Sequence, residues 1–200
     1  IKWSLFIGLI TLFLSIGFTV ISTSVLAGVG WGVGMIVVFI IVIIGVFFDI
    51  LGLAAASADE TPYHSMAAEK IDGAKHAIHV VRNKDKFANF CNDVIGDISG
   101  IVSGTASAFV VIQLVYTMGK DENSLIYTVI SVLFTSIVAA LTVGGKAIGK
   151  TIAITYATGI ILKVGKALSF LERNFHIVIF NGNRKNGNKI KKKARKNNGS

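Results

Sequence analysis

The chain has 200 residues, of which 52% are apolar and only 16% are charged, and its net charge is +9. This composition excludes an ordinary soluble domain and a disordered chain, and it is typical of a protein with several membrane spans. A single cysteine excludes an intrachain disulfide and a multi-cysteine metal site. We expect no enzyme, since no Ser-His-Asp, metal-hydrolase or nucleotide-binding motif is found.

Four apolar segments predict membrane-spanning helices, because each approaches or exceeds the roughly 20 residues that a helix needs to cross the hydrocarbon core. The first could instead be a signal peptide, but its apolar run is too long for one, and a retained helix is favoured. The predicted fold class is therefore an all-α integral membrane protein. Its spans cover about residues 3–26, 35–57, 88–118 and 124–143.

The segment between the second and third spans predicts an amphipathic helix over residues 63–82. Its apolar residues recur at helical spacing from Ala67 to Val81. Such a helix lies at the membrane surface or packs under the bundle. His76 and His79 could bind zinc from this helix, although a solvated helix face explains them better.

The C-terminal part of the chain carries more basic residues than the four predicted spans. Residues 150–172 are apolar but include Lys163 and Lys166, which predicts an interfacial or half-buried helix. The helical domain is expected to cover residues 1–182. Residues 183–200 form a basic segment without acids, which predicts a disordered tail that touches anionic lipid headgroups. Nucleic acid is not an expected partner, because the tail offers no aromatic side chains for stacking.

The distribution of basic residues predicts the topology. Basic residues concentrate in residues 58–86 and in the tail, and the positive-inside rule assigns both to the cytoplasm. Four spans with both termini in the cytoplasm satisfy every charge cluster. We expect the chain to be integral to the cell (plasma) membrane.

Asp49 lies in one of the most apolar stretches of the chain. A charge near the bilayer centre costs about 2.5–3.5 kcal/mol on insertion scales, so such residues usually face the bundle interior and mark a site. Gly45 and Gly52 share the helix face of Asp49, and small residues let another helix approach. We therefore expect Asp49 to point into a helix–helix seam.

The third span carries a second polar set, in which Asn89, Asp93 and Asp97 recur every four residues beside Asn92. Carboxylate and amide oxygens are hard ligands that suit Mg²⁺, Ca²⁺ or Na⁺. Two simpler interpretations stay open. Asp93 and Asp97 could merely cap or hydrate the cytoplasmic end of their span, and Asp49 could be the ion-pair partner of Lys146.

Three stretches, in order, resemble the transmembrane domain of the cyclin M/CorB/CorC magnesium-transporter family. Residues 45–77 are similar to a run of the form F-F-S-G-S-E-T-A-L that is followed by a cytoplasmic helix. Residues 83–93 (NKDKFANFCND) are similar to a P-D-R-F helix entry with paired asparagines. Residues 145–153 (GKAIGKTIA) match the spacing of G-E-[IV]-x-P-K-[ST]-[LI]-A. The resemblance implies a dimeric helical bundle whose inward-open cavity holds a dehydrated Mg²⁺.

This chain departs from the family pattern at the implied ligands, which are the serines of the first motif and the glutamate of the third. Asp49 and Leu51 stand at the serine positions, with Gly52 at the adjoining glutamate position. Lys146 stands at the glutamate position of the third motif, and Gly149 replaces its proline. A protonated lysine cannot ligate Mg²⁺. We also expect a short form of the family without its regulatory CBS-pair domains.

Two functions follow as hypotheses. The first is a divalent-cation (Mg²⁺-type) transporter or transport-domain homologue, with an ion path lined by Asp49, Asn89, Asn92, Asp93 and Asp97. The alternative is a non-transporting membrane scaffold or accessory subunit, in which an Asp49–Lys146 ion pair replaces the metal. Coupling of transport to Na⁺ or H⁺ is a third possibility that the sequence does not separate from the first.

Overall fold

The computed structural model describes residues 2–119 and 124–175, which are helical apart from short turns. They form eight α-helices and one π-helical segment. The helices are α1 (Lys2–Ala27), α2 (Trp31–Ser57), α3 (Thr61–Ala68), α4 (Ala74–Arg82), α5 (Lys84–Asn89), α6 (Asp97–Thr117), α7 (Leu125–Thr155) and α8 (Ala157–Phe175). The π-helical segment, Phe90–Gly96, joins α5 to α6 without a break. The predicted tail at 183–200 lies outside the described residues.

Four helical stretches are long and apolar enough to cross a membrane, as the sequence predicts. They are Gly8–Ala27, Trp31–Ser57, Lys84–Thr117 and Leu125–Thr155. The outside of the bundle is apolar too, because α1, α2 and α7 expose large aliphatic side chains such as Leu12, Ile36 and Leu133. In water this surface would be unfavourable, whereas lipid tails solvate it.

Helix α2 is the centre of the bundle and packs against α7, α6 and the π segment. Its inner face carries Val38 and Val42, which pack with Val110 of α6 and with Phe134 and Val138 of α7. Because α2 touches most of the other elements, its polar residues reach partners on several of them.

The fourth span differs from its prediction, because α7 continues beyond residue 143 to Thr155. Two glycines that look like a helix end, at 144 and 145, lie inside the helix. A Cβ at Gly145 would lie 3.1 Å from Val46, so the missing side chain lets α7 approach α2. The helix predicted over 150–172 accordingly begins later, at Ala157, and carries both buried and exposed residues.

The amphipathic helix predicted over 63–82 is present as two helices, α3 and α4, joined by a turn. Lys70 and Gly73 have positive φ angles of 59° and 80°, which no α-helix contains. The backbone of α8 approaches Gly73 too closely to admit a side chain. The turn therefore serves the contact with α8, a tertiary effect that periodicity does not report.

Helices α3, α4 and α8 pack on one another at the end of the bundle where α2 stops. Tyr63 is fully buried there, and its hydroxyl donates to the Thr158 carbonyl at 3.2 Å. Burial raises the pKa of Tyr63. His76 contacts Glu172 of α8 at 2.5 Å, so this histidine joins two helices.

Candidate functional site

Asp49 lies between three elements of the bundle and faces Lys146 of α7. The Lys146 Nζ is 3.6 Å from Asp49 Oδ1, and the Asp49 side chain is only 14% exposed. Asp49 is eight residues from the end of α2 at Ser57, which corresponds to about 12 Å along the axis. The carboxylate is thus well inside this candidate span, and within a bilayer it would need a cation or a proton.

Asp97, the first residue of α6, contacts the same ammonium from another helix. Its Oδ1 lies 3.9 Å from Lys146 Nζ, and its side chain is 66% exposed. Two carboxylates from different elements therefore converge on one cation. Both distances exceed the roughly 2.7–2.9 Å of a charge-assisted hydrogen bond, so the ammonium is held by charge rather than by short hydrogen bonds.

Glycines bring the three helices together around this cluster. A Cβ at Gly45 would lie 2.8 Å from Ser99, and one at Gly149 would lie 2.6 Å from Ile50. Gly96 lies beside the ion pair, where a Cβ would be 3.7 Å from Asp49 Oδ1 and 3.8 Å from Lys146 Nζ. The seam expected around Asp49 is thus formed by close backbone approach on two sides.

The π-helical segment Phe90–Gly96 passes directly beside the cluster. A π-helical turn inserts extra backbone into a helix and often occurs at functional sites. Cys91, within it, is buried. Asn89, Asp93 and Asp97 of the polar stripe are all exposed, whereas Asn92 beside them is half-buried.

Asn92 packs against Gly52, one turn of α2 beyond Asp49. Its Oδ1 is buried and has no hydrogen-bond partner among the described residues. A buried amide oxygen without a partner costs about 1–3 kcal/mol, so it commonly marks a place that a ligand or water completes. Asn89 and Asp93, by contrast, are exposed.

The predicted ion path is therefore brought together in part. Asp49 and Asp97 share the Lys146 ammonium, and Asn92 lies nearby on the same seam. Across residues 2–119 and 124–175, no three His, Cys, Asp or Glu side chains group as a metal site would require. The cluster supplies two carboxylates, and any further ligands to an ion would be amide, hydroxyl, backbone or water oxygens.

The approach of Asp97 to Lys146 is the feature of the site that sequence reasoning missed. The pairing depends on the relative rotation of α6 and α7, which no local pattern gives. The π segment has no sequence signature either. The small residues Gly96 and Ser99 of the third span are the sequence feature that lies nearest to both.

Comparison of the chain with models of protein families, with curated proteins and with solved structures gives no match. The resemblance to the CorB/CorC family stays a prediction that rests on the quoted motifs.

Proposed function

We propose that this chain is a cation-transport domain homologue of the CorB/CorC kind, for a divalent cation of the Mg²⁺ type. In this proposal the Lys146 ammonium is a tethered cation that occupies the site until a mobile ion displaces it. The observation that carries the proposal is the convergence of Asp49 and Asp97, from separate helices, on one loosely held positive charge.

The charge balance of the cluster supports exchange. Two carboxylates and one ammonium leave a net charge of −1, which still attracts a cation. Lys146 is 31% exposed and has a flexible four-carbon stem, so it can leave the carboxylates without unfolding α7. Mg²⁺ usually binds through one or two carboxylates and retains several waters, so Asp49 and Asp97 suffice as its charged ligands.

The remaining polar residues have roles in the same proposal. Asn92 offers its unpartnered amide oxygen on the seam, and the exposed Asn89 and Asp93 would attract ions at the entrance. The charged α3, α4 and α8 layer would face the cytoplasm of the cell, as the positive-inside rule requires. A homodimer follows from the family resemblance alone.

A non-transporting scaffold is the second candidate, and one observation favours it. Gly145 and Gly149 hold α7 against α2 on both sides of Lys146, which fixes the backbone that carries the ammonium. In this alternative the Asp49–Lys146 pair is permanent and replaces the metal. The two candidates differ in whether Mg²⁺ binds.

Mg²⁺ is expected to raise the apparent Tm of the purified full chain in detergent. A ligand at 100 times its Kd stabilises the folded state by about 2.7 kcal/mol, which for a chain of this size is roughly 5–10 °C. Asp49→Asn should remove most of this gain, because the amide keeps the shape of the side chain but not its charge.

Asp59→Asn is the matched control, since Asp59 is exposed in the turn after α2. This variant should keep the full response to Mg²⁺. An equal Mg²⁺ response in Asp49→Asn and in the unmodified protein would show that the ion binds elsewhere. The measurement is differential scanning fluorimetry with roughly 0–20 mM MgCl₂. This range extends above the Kd of about 0.1–1 mM that is typical of weak divalent-cation sites.

A further inference from the structure

An apolar crevice runs along the bundle between α1, α2 and the π segment with α6. Helix α1 packs mainly on α6 and barely touches α2, which leaves a wedge of about 480 Å³. Its floor is buried and includes Ile98 and Val102, whereas its rim includes the half-exposed Phe18 and Phe90. The crevice is thus open on its outer side, along the apolar exterior of the bundle.

The dimensions of the crevice match one hydrocarbon chain. It extends along α2 from Val37 to Phe48, and these positions, 11 residues apart, are separated by about 16 Å along the axis. Half of the hydrocarbon core of a bilayer is about 15 Å thick. Because close packing leaves few voids larger than a water molecule, a wedge of this size in contact with lipid would accommodate a lipid tail.

One polar atom in the crevice indicates which kind of molecule would bind there. Ser22 lines the crevice and is 8% exposed, and its Oγ has no hydrogen-bond partner among the described residues. It lies five residues before the end of α1, about 8 Å along the axis. The interfacial layer on each side of a bilayer is about 5–8 Å thick, so Ser22 lies where lipid ester carbonyls begin.

We propose that this crevice is a binding site for one acyl chain of a membrane glycerolipid, whose ester carbonyl accepts a hydrogen bond from the Ser22 hydroxyl. The bundle is tightly packed at the end of the crevice nearest Ser22, where Gly34 lies against Leu26 and Val110. The acyl chain therefore enters from the open outer side. The bound acyl chain fills the gap between α1 and α2. It thereby keeps the other lipids of the bilayer away from the bundle interior on this side.

Photolabelling tests the site in vesicles of phosphatidylcholine that contain a phosphatidylcholine with a diazirine in one acyl chain. The full chain is reconstituted, irradiated and mapped by mass spectrometry. Label should concentrate on peptides of α2 and α6 that line the crevice. Label spread evenly over α2, α6 and the exposed face of α7 would overturn the proposal.

Tryptophan variants separate a filled site from general lipid contact. Ile41→Trp and Ile95→Trp, on two different elements, should each reduce crevice labelling about tenfold, equal to about 1.4 kcal/mol of binding. Ile137→Trp on the exposed face of α7 is the control and should leave labelling unchanged. An unchanged apparent Tm shows that each variant is folded. Unreduced labelling in both folded crevice variants would overturn the site.

Ser22→Ala tests the polar contact and should reduce labelling about two- to tenfold, the loss of one hydrogen bond. Unchanged labelling in this variant would overturn the role of the ester. A diazirine-bearing sterol that displaces the acyl probe from the same peptides would overturn the assignment to a glycerolipid.

Discussion

Replacing Lys146 by methionine is expected to destabilise the protein in the absence of divalent cations and to increase its response to Mg²⁺. Methionine keeps the unbranched shape but removes the ammonium, which leaves Asp49 and Asp97 close together without a counter-charge. Breaking a fully buried ion pair costs about 3–5 kcal/mol, and partial exposure reduces this to about 2 kcal/mol. The apparent Tm should fall by roughly 4–8 °C.

Mg²⁺ should restore the stability of Lys146→Met, because the ion no longer competes with the tethered ammonium. The increase in apparent Tm at a given Mg²⁺ concentration should exceed that of the unmodified protein. Lys150→Met is the control, since Lys150 is exposed one turn further along α7. The scaffold alternative predicts the same loss of stability in Lys146→Met but no recovery with Mg²⁺, so this result would decide against transport.

Gly165→Ala is expected to destabilise the α3, α4 and α8 layer strongly. A Cβ at this position of α8 would overlap the Gly73 carbonyl and lie 2.9 Å from the Ala77 nitrogen, both of which are backbone atoms. Helix α8 must then move away from α4, which costs about 3 kcal/mol, or roughly 6–12 °C in apparent Tm.

Gly159→Ala, on the same helix, is the matched control. A Cβ at Gly159 meets no other atom within 4 Å, and alanine favours a helix over glycine by about 1 kcal/mol. Thermal unfolding of the two variants should therefore shift in opposite directions. If Gly165→Ala unfolds at the temperature of the unmodified protein, α8 does not pack against α4 as described.

The spans follow from hydropathy because twenty apolar residues in a row leave few alternatives in a membrane. Boundaries set by packing do not follow in the same way. Gly144 and Gly145 look like a helix end, yet α7 continues through them, and α2 packs closely at Gly145. The turn at Lys70 and Gly73 interrupts a pattern that is periodic throughout, because it is imposed by α8.

The sequence predicts the part of the candidate site whose two residues stand at positions of a known family motif. The resemblance paired Asp49 with Lys146, and the structure places their charged atoms 3.6 Å apart. Two other features are the contact of Asp97 with Lys146 and the unpartnered amide oxygen of Asn92. Both depend on the relative rotation of packed helices, which no local pattern gives. Ser22 belongs to a crevice that exists only because α1 leans away from α2, so no pattern within α1 reveals it.

Mg²⁺ flux into proteoliposomes tests the central claim most directly. Vesicles that contain the purified chain and a trapped Mg²⁺-sensitive dye are exposed to an inward Mg²⁺ gradient, beside protein-free vesicles. The proposal predicts saturable uptake that is abolished by Asp49→Asn and kept by Asp59→Asn. Uptake no faster than in protein-free vesicles, from protein shown to be folded, would contradict transport and leave the Asp49–Lys146 pair as the structural element of a scaffold.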